Sequence, residues 1–302
     1  MPLSVQDVRT MFQRFRILVV GRANAGKTTL LQKVCNTIEK PEIFDGKGKK
    51  IDADVVKSSV DRGDHNINNE LVFQSNSGFV FHDSCGFEAG GEDEFKKMKQ
   101  FISERASTMK LNERIHAIWQ AIIFMRLYLI VIFSLTVPVI AVFTKFDALS
   151  AVALGKLRRT PGLTRKDLFE ITPKHVEEIF ANANIWSRLC ETPHPPKDYV
   201  CLAKMNIDDT DCGPLLECTA GALGDEALQM LLISTQQTNL ELCITFSVKK
   251  AARTYIKRAY WRGSLKISED QCILMQKEIA KWFPHTGVVS PAMVAQWWCS
   301  MP

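Results

Sequence analysis

Residues 21–28 read G-R-A-N-A-G-K-T, Gly21 to Thr28, and what stands on either side decides how they fold. Before them, Phe15 to Val20 is an apolar run of the kind that forms a strand buried on both faces. After them, Leu30 to Ile38 carries a helical pattern. The pattern G-x-x-x-x-G-K-[ST] therefore sits at a strand-to-helix junction, the context in which it has a mechanism. Two glycines let the backbone curl, so that successive N–H groups from Asn24 to Thr29 face an oxyanion at a helix N-terminus. Lys27 reaches the terminal phosphates, and the Thr28 hydroxyl is offered to Mg²⁺, a hard cation that needs only one or two protein oxygens beside the phosphates. Gly21, Asn24, Ala25, Gly26, Lys27, Thr28 and Thr29 are thus the candidate polyphosphate ligands. A loop of this kind selects a triphosphate and no particular base.

Base choice has to come from further along the chain. Gly78 to His82 is a short strand-like run ending in Asp83, followed by Ser84, Cys85 and Gly86, which makes D-x-x-G. In that order after a phosphate loop, Asp83 is expected to orient Mg²⁺ and the Gly86 N–H to approach the last phosphate. Val137 to Phe143 is a second apolar β-run and delivers Thr144-Lys145-Phe146-Asp147. The Asp147 carboxylate can accept two hydrogen bonds from the N1–H and exocyclic amine of guanine, and adenine lacks that donor pair. Lys145 can lay its aliphatic stem over the purine, and Thr144 can tie the loop back towards residues 21–28. Glu217-Cys218-Thr219-Ala220 follows the apolar pair Leu215 and Leu216.

Gly21 to Thr29, Asp83 to Gly86, Thr144 to Asp147 and Cys218 to Ala220 resemble, in order, the nucleotide-binding boxes of the Ras, Era and septin superclass of P-loop GTPases. The wording around them is similar to uncharacterised G-domain-containing proteins of fungi. The resemblance spans roughly residues 15–225. It implies a doubly wound α/β P-loop G domain with a mostly parallel central sheet, GTP or GDP as ligand, Mg²⁺ as cofactor, and Thr219 and Ala220 in the loop whose backbone amide meets the guanine carbonyl. It also implies a molecular switch that hydrolyses GTP, with Lys27 and the Gly86 backbone assisting; the alternative is a GTP-dependent binding or assembly module with little catalysis. Two departures bear on that choice. No Thr lies between Thr37 and Thr108 to complete the Mg²⁺ shell, so Ser59, Ser58, or a main-chain carbonyl near Arg62 or Gly63 is expected there. Phe87 stands where Ras-like enzymes place the Gln that orients the attacking water. Slow hydrolysis is expected, with a GTPase-activating partner or self-association supplying the missing group.

A chain of 302 residues with 46% hydrophobic and 24% charged content can bury a full core, which excludes disorder as the default. A net charge of +5 fits an anionic ligand without choosing one. Nine cysteines with no C-x-x-C pair and no leader after Met1 argue against a disulfide framework or structural zinc, and for the cytoplasm. The expected organisation is an N-terminal helix over 1–14, capped by Ser4, a G domain over 15–236 with an insertion at about 150–200, and a helical C-terminal extension over 237–302. In the insertion Thr172-Pro173 reads as cap and first helical residue, with Val176, Ile179, Phe180, Ala183, Trp186 and Cys190 on one packed face. Tyr199 to Ala203 reads as a strand, and Asp225 and Asn239 as helix caps. From Ala121 to Val142 the only charge is Arg126. A short or fully buried helix, a misread gene segment and a membrane span over 121–143 are the readings that stretch admits. The span is disfavoured because Val137 to Phe143 must stay in the sheet to present Asp147. Residues 249–266 hold Lys249, Lys250, Arg253, Lys257, Arg258, Arg262 and Lys266 with no acid; a solvated face is the default there, with contact to an anionic membrane as the functional reading and nucleic acid disfavoured. The six histidines show no metal spacing.

Overall fold

The computed structural model describes residues 5–52, 66–84, 92–124, 136–207, 210–236, 242–249, 252, 255 and 273–274. Its centre is β1 (Phe15–Gly21), seven residues that are all buried. Its flanks in an eight-stranded sheet are β2 (Glu42–Phe44), β3 (Lys50–Ile51), β4 (Glu70–Phe73), β5 (Asn76–Asp83), β6 (Ala117–Ile123), β7 (Val139–Thr144) and β8 (Asp198–Cys201), in the order β3-β2-β4-β5-β1-β6-β7-β8. β5, β1, β6, β7 and β8 run parallel, and β3, β2 and β4 complete one side antiparallel. The expected mostly parallel, doubly wound α/β architecture is the observed one. The chain leaves β1 towards β5 on one side and later towards β6 on the other, so the topological switch point lies at the carboxyl end of β1.

Alternation along the strands builds two helical layers. Phe15, Ile17 and Val19, with Phe79, Phe81, Trp119 and Val142, share a core with α1 (Val5–Phe12), α2 (Lys27–Val34), α7 (Gly213–Ala222) and α8 (Glu226–Thr235). On the other face Leu18, Val20, Ile118 and Val139 meet Met98, Phe101 and Ile102 of α3 (Glu92–Ser107). Further along that face Ile122, Ala141 and Phe143 are covered by α4 (Ala148–Leu157), α5 (Arg165–Asn182) and α6 (Ile185–Cys190). The N-terminal helix is part of the first layer: Val8 and Phe12 are buried, and Arg9 Nη2 donates to the Ser234 carbonyl at 2.5 Å.

Three local expectations change. α5 does not begin at Thr172-Pro173. It starts eight residues earlier, where Thr164 and Asp167 form a reciprocal capping box, and Pro173 lies inside the helix. Thr172 Oγ1 donates to the Leu168 carbonyl at 2.5 Å, which occupies the backbone just before the proline break. α2 stops at Val34 rather than Ile38, because Asn36 turns left-handed at φ 48° and the Thr37 N–H returns to the Gln32 carbonyl. Residues 213–222 form α7, opened by Pro214 in its first turn, where a loop had been expected. Asp225 does cap α8, accepting from the Ala227 and Leu228 N–H groups.

Among the described residues no helix is long and apolar enough to cross a membrane. Of the apolar stretch, 121–123 lie in β6 and 139–143 in β7, while 125–135 lie outside the described residues. The same holds for Ser4, Ser58, Ser59, Arg62, Gly63, His65, Gly86, Phe87, Asn239 and nearly all of 250–266. Residues 242–249 are helical, as the C-terminal extension was expected to be, with Leu242 and Cys243 in the core.

Candidate functional site

The parallel strands bring their carboxyl ends to one edge of the sheet, and the loops there hold most of the residues singled out by the sequence. Gly21 ends β1 against β6: a Cβ at this position would meet the Ala121 carbonyl oxygen at 2.6 Å, so the residue is dictated by strand packing as well as by the loop. Asn24 at φ 61° and Gly26 at φ 77° supply the left-handed turns that reverse the chain into α2. Gly26 is the N-cap of α2 and offers no side chain to the helix start, leaving the first N–H groups for an external acceptor. Thr28 is exposed at that start.

Lys27 folds back over the loop. Its Nζ donates to the carbonyls of Gly21 at 3.0 Å and Arg22 at 3.2 Å, and stands 3.7 Å from Asp83 Oδ1. Two of the three ammonium hydrogens are thereby assigned and the charge faces the Asp83 carboxylate. Asp83 ends β5, paired in register with Val19 of β1. Its side chain keeps 27% exposure while Oδ1 itself is shielded and accepts no hydrogen bond among the described residues. Burial raises the Asp83 carboxyl to about 6, against the opposing pull of Lys27. A desolvated carboxylate oxygen that accepts no hydrogen bond and meets only the more distant Lys27 charge, beside an exposed threonine hydroxyl at a helix N-terminus, is a donor set that fits a hard divalent cation.

Behind Asp83 lies a buried polar group that the sequence did not announce. His82 is fully buried, its Nδ1 is 3.2 Å from the Ile67 carbonyl and its Nε2 3.4 Å from Arg16 Nη1. Nδ1 must donate to the carbonyl and Nε2, facing the Arg16 donor, must accept, so the ring is neutral, and burial followed by the charge of Arg16 holds its pKa down to about 3. Arg16 also pairs with Glu70 at 2.7 Å. Arg16 is the second residue of β1 and the one charge in that strand.

The loop of Thr144 to Asp147 follows β7. Thr144 is buried and its Oγ1 donates to the Ile122 carbonyl at 3.4 Å, so it is tied to β6 rather than to residues 21–28. Lys145 is exposed and left-handed at φ 53°. Asp147 is the N-cap of α4 yet makes no side-chain cap; its Oδ1 accepts from the Lys204 N–H at 2.9 Å instead. Two further bonds join the same pair of loops, Phe146 N–H to the Leu202 carbonyl at 3.1 Å and Leu202 N–H to the Phe143 carbonyl at 2.8 Å.

Thr219 and Ala220 are not brought to this edge. They sit on the buried face of α7, where Thr219 Oγ1 accepts from Trp119 Nε1 at 3.0 Å and donates to the Leu215 carbonyl at 2.7 Å. The i, i+4 spacing of Leu215, Leu216, Thr219 and Ala220 marks a core stripe, and full burial leaves no surface for a ligand. The segment beside Asp147 is Leu202-Ala203-Lys204, at the end of β8. The sequence signal was there: Ala-Lys directly after an apolar β-run, at the carboxyl end of a parallel strand.

No protein-family model matches the chain, and no curated protein matches it. Among solved structures it is similar to a point mutant of S. thermophilus NFeoB bound to GDP, at 12% identity over 93% of this chain and 94% of that one, with a TM-score of 0.34. It is also similar to a GDP-bound mutant of the S. thermophilus FeoB G-domain, at 12% identity, 93% and 94% coverage and a TM-score of 0.32. A third is an S. thermophilus NFeoB mutant bound to mGDP, at 11% identity, 94% coverage of both chains and a TM-score of 0.35. Likeness at this level assigns no family, and the functional reading is carried by the residues at the sheet edge.

Proposed function

We propose that this chain is a P-loop G protein that binds guanine nucleotide with Mg²⁺ and hydrolyses GTP slowly. The observation that carries the reading is Asp147: its carboxylate stands at the same sheet edge as the loop of Gly21 to Thr29, is gripped on one oxygen by the Lys204 N–H, and is not spent on capping α4. Held in this way it can accept the N1–H and exocyclic amine of guanine. Lys145 covers one purine face with its stem, and the backbone around Ala203 takes the carbonyl-contacting role that the sequence resemblance had lent to Cys218, Thr219 and Ala220. The N–H groups from Asn24 to Thr29 and the Lys27 ammonium bind the polyphosphate. Thr28 and Asp83 are the side chains to hold Mg²⁺, with Ser59 as the proposed third. When bound, the ion supplies a divalent charge that spreads across the phosphate oxygens.

For chemistry, the Gly86 N–H is assigned to the terminal phosphate, and Phe87 offers no polar atom to orient water. Intrinsic turnover is therefore slow, and an activating partner or a second copy completes the site. Phe87 equally favours a second reading, an assembly module that binds GTP with little catalysis. The proposed G domain runs over 15–236 with its insertion at about 150–200, which holds α5 and α6. A cytoplasmic setting is proposed on the sequence pattern alone, nine cysteines with no C-x-x-C pair. Residues 249–266 are proposed to touch anionic membrane, and flotation with anionic but not neutral liposomes tests that.

The deciding experiment titrates wild type and Asp147→Ala with GDP and ADP in the presence of Mg²⁺, coupled to a phosphate-release assay with GTP. Wild type is expected to prefer the guanine nucleotide by about a hundredfold, and the variant to lose that preference. Phosphate release is expected well below about one per second; several turnovers per second from a purified monomer would remove Phe87 as the limit on hydrolysis.

A further inference from the structure

The loop of Thr144 to Asp147 has its own turn bonds, Ala148 N–H to the Lys145 carbonyl at 3.0 Å and Leu149 N–H to the Phe146 carbonyl at 3.1 Å, and leans on its surroundings as well. Lys145 holds a left-handed backbone at φ 53°, which an L-residue with a long side chain adopts uncommonly and at a cost of about 1 kcal/mol. Asp147 lends its carboxylate to Lys204 and none of it to its own helix. The aromatic side chains beneath the loop add contacts from outside it.

Phe180 of α5 is the hub of that layer. Its ring lies 5.1 Å from Phe143 and 5.3 Å from Phe146, both edge-on, and 5.7 Å from Phe124 and 5.8 Å from Tyr199, both tilted. Phe143 and Phe146 bracket Thr144 and Lys145 on either side. Tyr199 belongs to β8, three residues before Leu202, so the same ring also steadies the strand that delivers Lys204. One side chain from the insertion thus touches the strand before the base-reading loop, the loop itself, and the strand feeding the second loop. The two loops are then laced together by the backbone bonds of Phe146, Leu202 and Lys204.

We infer that Phe180 is a positioning residue for guanine recognition, and that the helical insertion between β7 and β8 sets how sharply Asp147 discriminates the purine edge; this rests on the reading of Asp147 given above. Phe180 does not touch the ligand. It acts by fixing the carboxylate to the tolerance that two simultaneous hydrogen bonds demand, because a bidentate contact loses its second bond when its acceptor swings by a fraction of an ångström. The geometry of α5 agrees. Val176, Ile179, Phe180 and Ala183 pack inward near its carboxyl half, while Phe169 near its start is 83% exposed. The helix is therefore anchored where it underlies the base loop.

The test uses GDP and inosine diphosphate, which lacks only the exocyclic amine, so their affinity ratio reports the second hydrogen bond to Asp147. It is measured on the full chain with Mg²⁺ for wild type, Phe180→Ala, Phe180→Leu and, as a control on the exposed face of the same helix, Phe169→Ala. Phe180→Ala is expected to narrow the ratio by about tenfold, with the affinity for Mg²⁺-tripolyphosphate unchanged because the phosphate loop lies on β1. Phe180→Leu keeps the apolar volume but not the ring edges, and narrows the ratio in the same direction; it decides the matter if the alanine variant does not fold. Phe169→Ala keeps the wild-type ratio. A folded Phe180 variant with the wild-type ratio overturns the inference while leaving the guanine reading intact. A wild type that binds both nucleotides equally overturns the reading itself.

Discussion

Gly21 and Gly26 both satisfy the phosphate-loop pattern, yet they are glycines for different reasons, and substitution separates them. A methyl at Gly21 runs into the Ala121 carbonyl, which is backbone and cannot step aside. Gly21→Ala is expected to cost about 2–3 kcal/mol in urea unfolding. A methyl at Gly26 meets nothing within 4 Å, so only its φ of 77° resists, at about 1 kcal/mol. Equal losses at the two sites would contradict the packing account. Thr219 gives the complementary case. Removing its hydroxyl in Thr219→Val strands the indole N–H of Trp119 in the core and is expected to lower stability by about 1–3 kcal/mol, with nucleotide affinity unchanged. At this scale residues 21–29, Asp83 and Thr144 to Asp147 stood out because each proposed chemistry demands particular residue types at fixed spacing. Thr219 and Ala220 were misread because a four-residue pattern carries little information and a core stripe of α7 mimics it. Ala203 and its neighbours went unnoticed because Ala-Lys after the short run of β8 is a weaker signal than the Glu217 to Ala220 pattern that competed with it.

The elements themselves follow the same division. β1, β5 and β7 were legible from apolar runs, since a strand buried on both faces admits little else. α5 was placed eight residues too late because Pro173 looked like a helix start. Its true start is the Thr164 and Asp167 capping box, which outweighs one missing hydrogen bond in the interior. Thr164→Ala is accordingly expected to cost about 1 kcal/mol. Thermal unfolding of that variant beside Arg165→Ala isolates the cap, because Arg165 occupies the next, exposed position with no role in the box. A Thr164→Ala protein as stable as wild type would put the start of α5 back at Thr172.

Across the molecule, the layer between the sheet and α3 contains a charged group that no periodicity reveals. Arg16 pairs with Glu70, donates from Nε to the Asn112 carbonyl at 2.5 Å, and gives its backbone N–H to His116 Nδ1 at 3.0 Å. Burial, then the charges of Arg16 and Arg114, hold His116 down to about 3 from an ordinary 6.5. The sign follows from linkage: above pH 6.5 the ring is neutral folded or unfolded, and below it the unfolded chain binds the proton first. Stability contributed by the neutral ring is therefore present above pH 6.5 and lost as the pH falls towards 3, at about 1.4 kcal/mol per pH unit. His116→Gln keeps an acceptor for Arg16 and removes the titration, so its stability is expected to fall less steeply than wild type between pH 6 and 4. Parallel slopes would contradict a buried neutral His116.

In the proposed reading, loops from β1, β5, β7 and β8 converge on one nucleotide at the sheet edge and Asp147 selects its base. The most direct measurement is competition between guanosine and xanthosine diphosphates for wild type and Asp147→Asn. A carboxylate accepts from both the N1–H and the exocyclic amine of guanine, whereas a carboxamide pairs one acceptor and one donor with the N1–H and carbonyl of xanthine. Wild type is expected to prefer guanosine diphosphate and the variant xanthosine diphosphate, each by about a hundredfold. An unchanged guanine preference in Asp147→Asn, or a wild type indifferent to the two, would contradict it.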